Sequence, residues 1–115
     1  MSTIEEWNIQ YQNTVKALQE VNRLINERIV GIRGGQDRRM FSQMHLRNQK
    51  TLRTLLAEHE KLKQSLNMLS RGSLQPKETQ FYASRLDKLY TELQNAQERV
   101  QMTDEQILDD GRFYP

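Results

Sequence analysis

Apolar residues recur along nearly the whole chain at alternating spacings of three and four. Ile4, Trp7, Tyr11, Thr14, Leu18, Val21, Ile25, Arg28 and Ile32 make one such stripe. Phe41, His45, Asn48, Leu52, Leu55, His59, Leu62, Leu66 and Leu69 make a second, and Thr79, Tyr82, Leu86, Leu89, Leu93, Ala96, Val100, Thr103 and Ile107 a third. That spacing keeps one face of a helix turned to a core, so the pattern predicts three long amphipathic helices over residues 3–31, 37–70 and 75–108. The ends carry matching signals. Thr3 and Glu6 have capping-box spacing, Asp37 opens the second helix, and Pro76 stands where proline is favoured, in the first turn of the third. Gly31, Gly34 and Gly35 read as the stop of the first helix, Arg71-Gly72-Ser73 as that of the second and Asp109-Asp110-Gly111 as that of the third. Residues 109–115 are then a linker or truncated tail.

Helices of about 30 residues span on the order of 45 Å at 1.5 Å per residue. Two short loops between them predict an all-α fold: an elongated up-down-up antiparallel three-helix bundle, left-handed and spectrin-like. Centring the first turn near Gln36 and the second on Leu74 sets the register. The polar seam residues of different helices then coincide, with His59 opposite Thr14 and His45 in one layer with Arg28 and Thr103. Such layers penalise a slide by one heptad, which would place His or Arg against apolar neighbours. The two histidines are read as register pins.

At 115 residues, one domain is expected. The chain has no cysteine, which excludes disulfides, thiolate metal sites and cysteine nucleophiles. No apolar run approaches the roughly 18 residues of a membrane span, so no direct membrane insertion by this chain is expected. The start MSTIEEW lacks the basic-then-apolar order of a secretory signal. The net charge of +2 hides an uneven distribution. From Arg28 to Arg53 there are seven basic residues and one acidic, Asp37, whereas from Glu98 to Asp110 there are five acidic residues and one arginine. The derived topology brings these segments to the same end of the bundle, so the positive charge is answered within the molecule and a nucleic-acid partner is not expected.

Zinc needs three or four converging ligands, and the layers around His45 and His59 supply Arg, Asn, Thr and Leu instead. Neither metal nor cofactor is therefore expected. No nucleophile stands with a base and an orienting group, and GIRGG follows no strand, so the chain is read as non-enzymatic. Val15, Leu24, Ile29, Leu56 and Tyr90 flank the stripes and widen the core, while Ile9, Met40, Leu46, Met68, Phe81 and Met102 point outward.

Three long helices, short loops and the ending DDGRFYP just after the third resemble the N-terminal Habc domain of syntaxin-type SNARE proteins. The segment SLQPKETQFYASRLDKLYTEL resembles the third-helix entry of the smaller Qc-type and Qb-type members, where a hydrophobic residue precedes an acidic helix start and then basic-plus-leucine turns. The resemblance spans residues 1–108. It implies a regulatory, protein-interaction domain for vesicle trafficking and membrane fusion, held at the cytoplasmic face of endomembranes by an anchored parent protein. Its partner would be a helix: a SNARE segment, a tether or an adaptor. The groove between helices two and three is the site favoured by geometry, with Leu46, Met68, Phe81 and Met102 as contact candidates. The alternative is a structural coiled-coil module of a scaffold or secretion assembly, distinguished by whether a heptad segment and apolar anchor or another triple-helical repeat follows Pro115 in the parent reading frame.

Overall fold

The computed structural model describes residues 3–113, with side chains described for residues 3–109. Those residues form an all-helical bundle. Helix α1 is Ile4–Arg33, α2 is Ser42–Ser70, α3 is Pro76–Val100 and α4 is Asp104–Phe113, with a 3-10 turn over Arg38–Phe41 leading into α2. The principal extents of 55 × 27 × 15 Å describe a flattened rod. Its radius of gyration, 17.5 Å, exceeds the roughly 13 Å of a compact chain near this length.

Each entry follows from local chemistry. Thr3 Oγ1 accepts from Glu6 N–H at 3.1 Å and so satisfies an orphan donor of α1. Asp37 accepts from Arg39 N–H at 2.9 Å, capping the 3-10 turn. Pro76 begins α3, and Glu78 Oε1 reaches back to Gln75 N–H at 3.2 Å.

The second helix, expected from residue 37, begins only at Ser42 after the 3-10 turn, and three further features differ from the pattern read off the sequence. First, α1 runs through Gly31 to Arg33, and the turn falls at Gly34 and Gly35, the latter at φ 82°. Gly31 is buried, because a β-carbon there would overlap Phe41 Cζ and lie 2.9 Å from Cε2. It is a contact glycine, not a stop.

Second, the predicted third helix is two helices. Val100 ends α3, and Thr103 caps α4: its Oγ1 accepts from Gln106 N–H at 3.2 Å while Gln106 Oε1 accepts from Thr103 N–H at 2.8 Å. This reciprocal pair is a capping box, and it takes Thr103 out of the seam and into solvent. Third, α4 continues through Asp109-Asp110-Gly111 to Phe113, so 109–113 is helical instead of linker. One glycine in a last turn costs a helix only about 1 kcal/mol.

Apart from the exposed Thr103 and the half-buried Ile4, Tyr11, His45, Thr79 and Tyr82, the three stripes are buried, and their apolar residues form three clusters. One end holds Trp7, Leu62, Leu66, Leu69 and Leu86, with Ile4, Tyr11 and Tyr82 packed against them. The middle holds Leu18, Val21, Ile25, Leu52, Leu55, Leu89, Leu93, Ala96 and Val100. Ile32, Phe41 and Ile107 close the other end. Numbers fall along α2 as they rise along α1: Trp7 reaches Leu62, Gln10 reaches Glu58, and Ile32 meets Phe41. Helix α2 packs on both α1 and α3, whereas α1 and α3 touch more sparsely, so the grooves flanking α2 are the best formed.

Candidate helix-docking groove

The groove between α2 and α3 holds a cleft of about 580 Å³. Leu56, Leu66, Ala83 and Leu86 give it an apolar floor, and Glu60, Lys63, Asp87 and Tyr90 a polar rim. A second depression of about 280 Å³ continues the groove past Gln49 and Arg53 on α2, Gln97 on α3 and Gln101 just after it. From residue 49 to residue 67 the groove runs about 27 Å along α2, the length of an 18-residue helix. An apolar floor with a polar rim is the arrangement of helix-in-groove recognition.

His59 organises this groove from beneath. Only 8% exposed, it donates from Nε2 to the Leu86 carbonyl at 2.8 Å, tying α2 to α3. Tyr90 stacks over it, with ring centroids 5.1 Å apart and an interplanar angle of 27°. Tyr90 remains 43% exposed and forms the outer face of this stack. Thr14 does not partner His59 as the layer argument expected. Its hydroxyl donates to the Gln10 carbonyl one turn back at 2.9 Å, so each polar group is met by main chain instead of by the other.

The candidates chosen from sequence sit elsewhere. Leu46, Met68 and Phe81 are exposed, at 64%, 74% and 56%, and none lines either depression. Leu46 and Met68 are separated by roughly 33 Å of helix. Phe81 leans toward α1, since Arg85 lies over its ring at 4.9 Å and over that of Tyr11 at 5.4 Å. Met102 is half-buried against the Ile32/Phe41/Ile107 cluster, not outward. The cleft is instead walled by Leu56 and Tyr90, which the sequence pattern marks as flanks of the core. Their position one step off the seam is the signal, because groove walls are built from seam-flanking residues.

At the opposite end, the basic and acidic segments meet. Arg28, 5% exposed, donates from Nη2 to the Met102 carbonyl at 2.9 Å and to Asp104 Oδ1 at 3.0 Å. Arg33 Nε donates to the Ile107 carbonyl at 3.2 Å, and Arg38 pairs with Glu105 at 3.8 Å on the surface. The buried guanidinium thus takes its anion from α4, not a hydrogen bond from His45. Arg28 Nη1, His45 Nδ1 and Asn48 Nδ2 are buried without a hydrogen-bond partner among the described residues. Burial, and secondly the nearby Arg28 charge, hold the His45 imidazole below its usual pKa, with Asp104 opposing.

Among the described residues no three His, Cys, Asp or Glu side chains gather as a metal-binding group, and no helix is long and apolar enough to cross a membrane. No protein-family model matches the chain, and neither does any curated protein or solved structure.

Proposed function

We propose that this chain is the regulatory, non-catalytic Habc-type domain of a syntaxin-type SNARE of the Qc or Qb kind. In this reading the bundle is an up-down-up, left-handed arrangement of α1 to α3. It belongs to a membrane-anchored parent at the cytoplasmic face of endomembranes and takes a helical partner there. The α2–α3 groove is the observation that carries the reading: it is long enough for a helix, apolar at the base and polar at the rim. Tyr90 is the natural anchor, because a half-exposed aromatic already held by a stacked His59 loses little freedom on binding.

The test is titration of the chain with purified SNARE-segment helices from endomembrane fusion complexes, monitored by calorimetry. At least one segment should bind saturably, and Tyr90→Glu should weaken it by about tenfold or more, the equivalent of about 1.4 kcal/mol. Circular dichroism of the variant should match the parent chain. Binding by none of the segments, or binding indifferent to Tyr90→Glu in a folded variant, would remove the proposal.

A further inference from the structure

The basic segment is answered within the molecule only in part. Arg28, Arg33 and Arg38 bond to α4 or to the break before it, and Arg39 pairs with Asp37. Arg47, Lys50 and Arg53 are exposed on α2 and have no ion-pair partner among the described residues. Helix α2 carries five basic residues against two acidic, whereas α1 and α3 each balance four with four. The outside of one helix therefore holds an excess of positive charge. Leu46, Ala57 and Met68 recur every eleven residues there, about three helical turns, and so stand in a straight row of roughly 33 Å. Lys50 and Lys61, also eleven apart, run beside the row, with Arg47 and Arg53 to either side. The two carboxylates of α2 stand off this face: Glu58 accepts from Gln10 of α1 at 2.9 Å, and Glu60 is on the rim of the α2–α3 groove.

We propose that this face is a reversible contact surface for an anionic lipid bilayer, on which the rod lies lengthwise. Arg47, Lys50, Arg53 and Lys61 meet the headgroups, and Leu46 and Met68, 64% and 74% exposed, reach the acyl boundary just beneath. Charge complementarity names an anionic occupant, and the apolar row selects among anionic ones. Nucleic-acid phosphates would satisfy the cations but leave Leu46 and Met68 against charge and water. A folded acidic protein would need a concave surface shaped to a convex ridge, whereas a bilayer conforms to one. Two apolar side chains bury too little to hold the chain without the cations, so the contact is labile to salt. It requires no helical partner and stands or falls apart from the α2–α3 groove.

Sedimentation of the whole chain with sucrose-loaded vesicles tests the contact. At low salt, phosphatidylcholine vesicles with about 30% phosphatidylserine should bind at least about tenfold better than pure phosphatidylcholine, and about 0.5 M salt should release the chain. Arg47→Gln with Lys50→Gln should weaken binding by about tenfold or more. Lys16→Gln with Lys88→Gln removes the same charge from the exposed faces of α1 and α3, and should weaken it less than about threefold. Leu46→Gln with Met68→Gln leaves the charge unchanged and should cost about threefold or more. All six side chains are exposed, so circular dichroism of the variants should match the parent chain. No binding to the anionic vesicles, equal binding to neutral ones, or equal loss from the Lys16 and Lys88 pair would each overturn the proposal. So would indifference to the Leu46 and Met68 pair, or tighter binding to duplex RNA than to the anionic vesicles.

Discussion

Replacing Trp7 by alanine should cost the fold about 3–5 kcal/mol, more than any other single truncation in the bundle. The indole is 0% exposed, stacks on Tyr11 at 5.4 Å and meets the edge of Tyr82 at 5.2 Å. It also donates from Nε1 to the Leu62 carbonyl at 2.9 Å, so a single side chain joins the start of α1 to α2 and α3. Removing it leaves a cavity walled by aromatic rings too large to collapse inward. Trp7→Phe should keep most of the packing and lose only the hydrogen bond and part of the ring, for about 1–2 kcal/mol. Urea unfolding followed by helical circular dichroism measures both. A Trp7→Ala cost under about 1.5 kcal/mol would mean that this end of the bundle is loosely packed.

The second large effect is expected at Gly31. Valine there should destabilise by about 2–3 kcal/mol, although a helix interior ordinarily gains from losing a glycine. The Phe41 ring sits where the new side chain must go, and Gln36 Oε1 would lie 2.8 Å from the β-carbon. Phe41 is itself 7% exposed and packed with Ile32 and Ile107, so it has little room to withdraw. Combining Gly31→Val with Phe41→Leu should recover at least about 1 kcal/mol relative to additivity. Additive costs would show that the two residues do not share the space.

The seam was legible because burial alone decides it. A residue such as Leu93 or Leu62 has no alternative to the core, and a spacing of three and four says where the core lies. The break at Thr103 was not seen because the stripe passes straight through it: Ile107 is buried whether α3 continues or α4 folds back on Ile32. The signal was nevertheless present in Thr103-Asp104-Glu105-Gln106, a capping box ahead of Ile107 and Leu108. Partner choice among polar groups was less legible. His59 and Thr14 each had a main-chain carbonyl within reach, and sequence spacing cannot weigh a carbonyl against a side chain. Arg28 was read as paired with His45, while Asp104, three residues past Gln101, was hidden by the assumption of one continuous helix. The groove itself was legible as a consequence of the bundle, but its walls were not. Outward position singles out Leu46, Met68 and Phe81, whereas the cleft is lined by Leu56, packed against the core, and by Tyr90, stacked on His59.

The proposal that a partner helix lies between α2 and α3 is tested most directly by mapping backbone amide shifts of the labelled chain on titration with each of the SNARE segments. The predicted result is a continuous band of shifts from residue 49 to residue 67 on α2 and along the facing side of α3 around Ala83, Asp87, Tyr90 and Gln97, with the outer face of α1 unchanged. Shifts confined to α1, or to the exposed Leu46 and Met68 without the cleft between them, would contradict it.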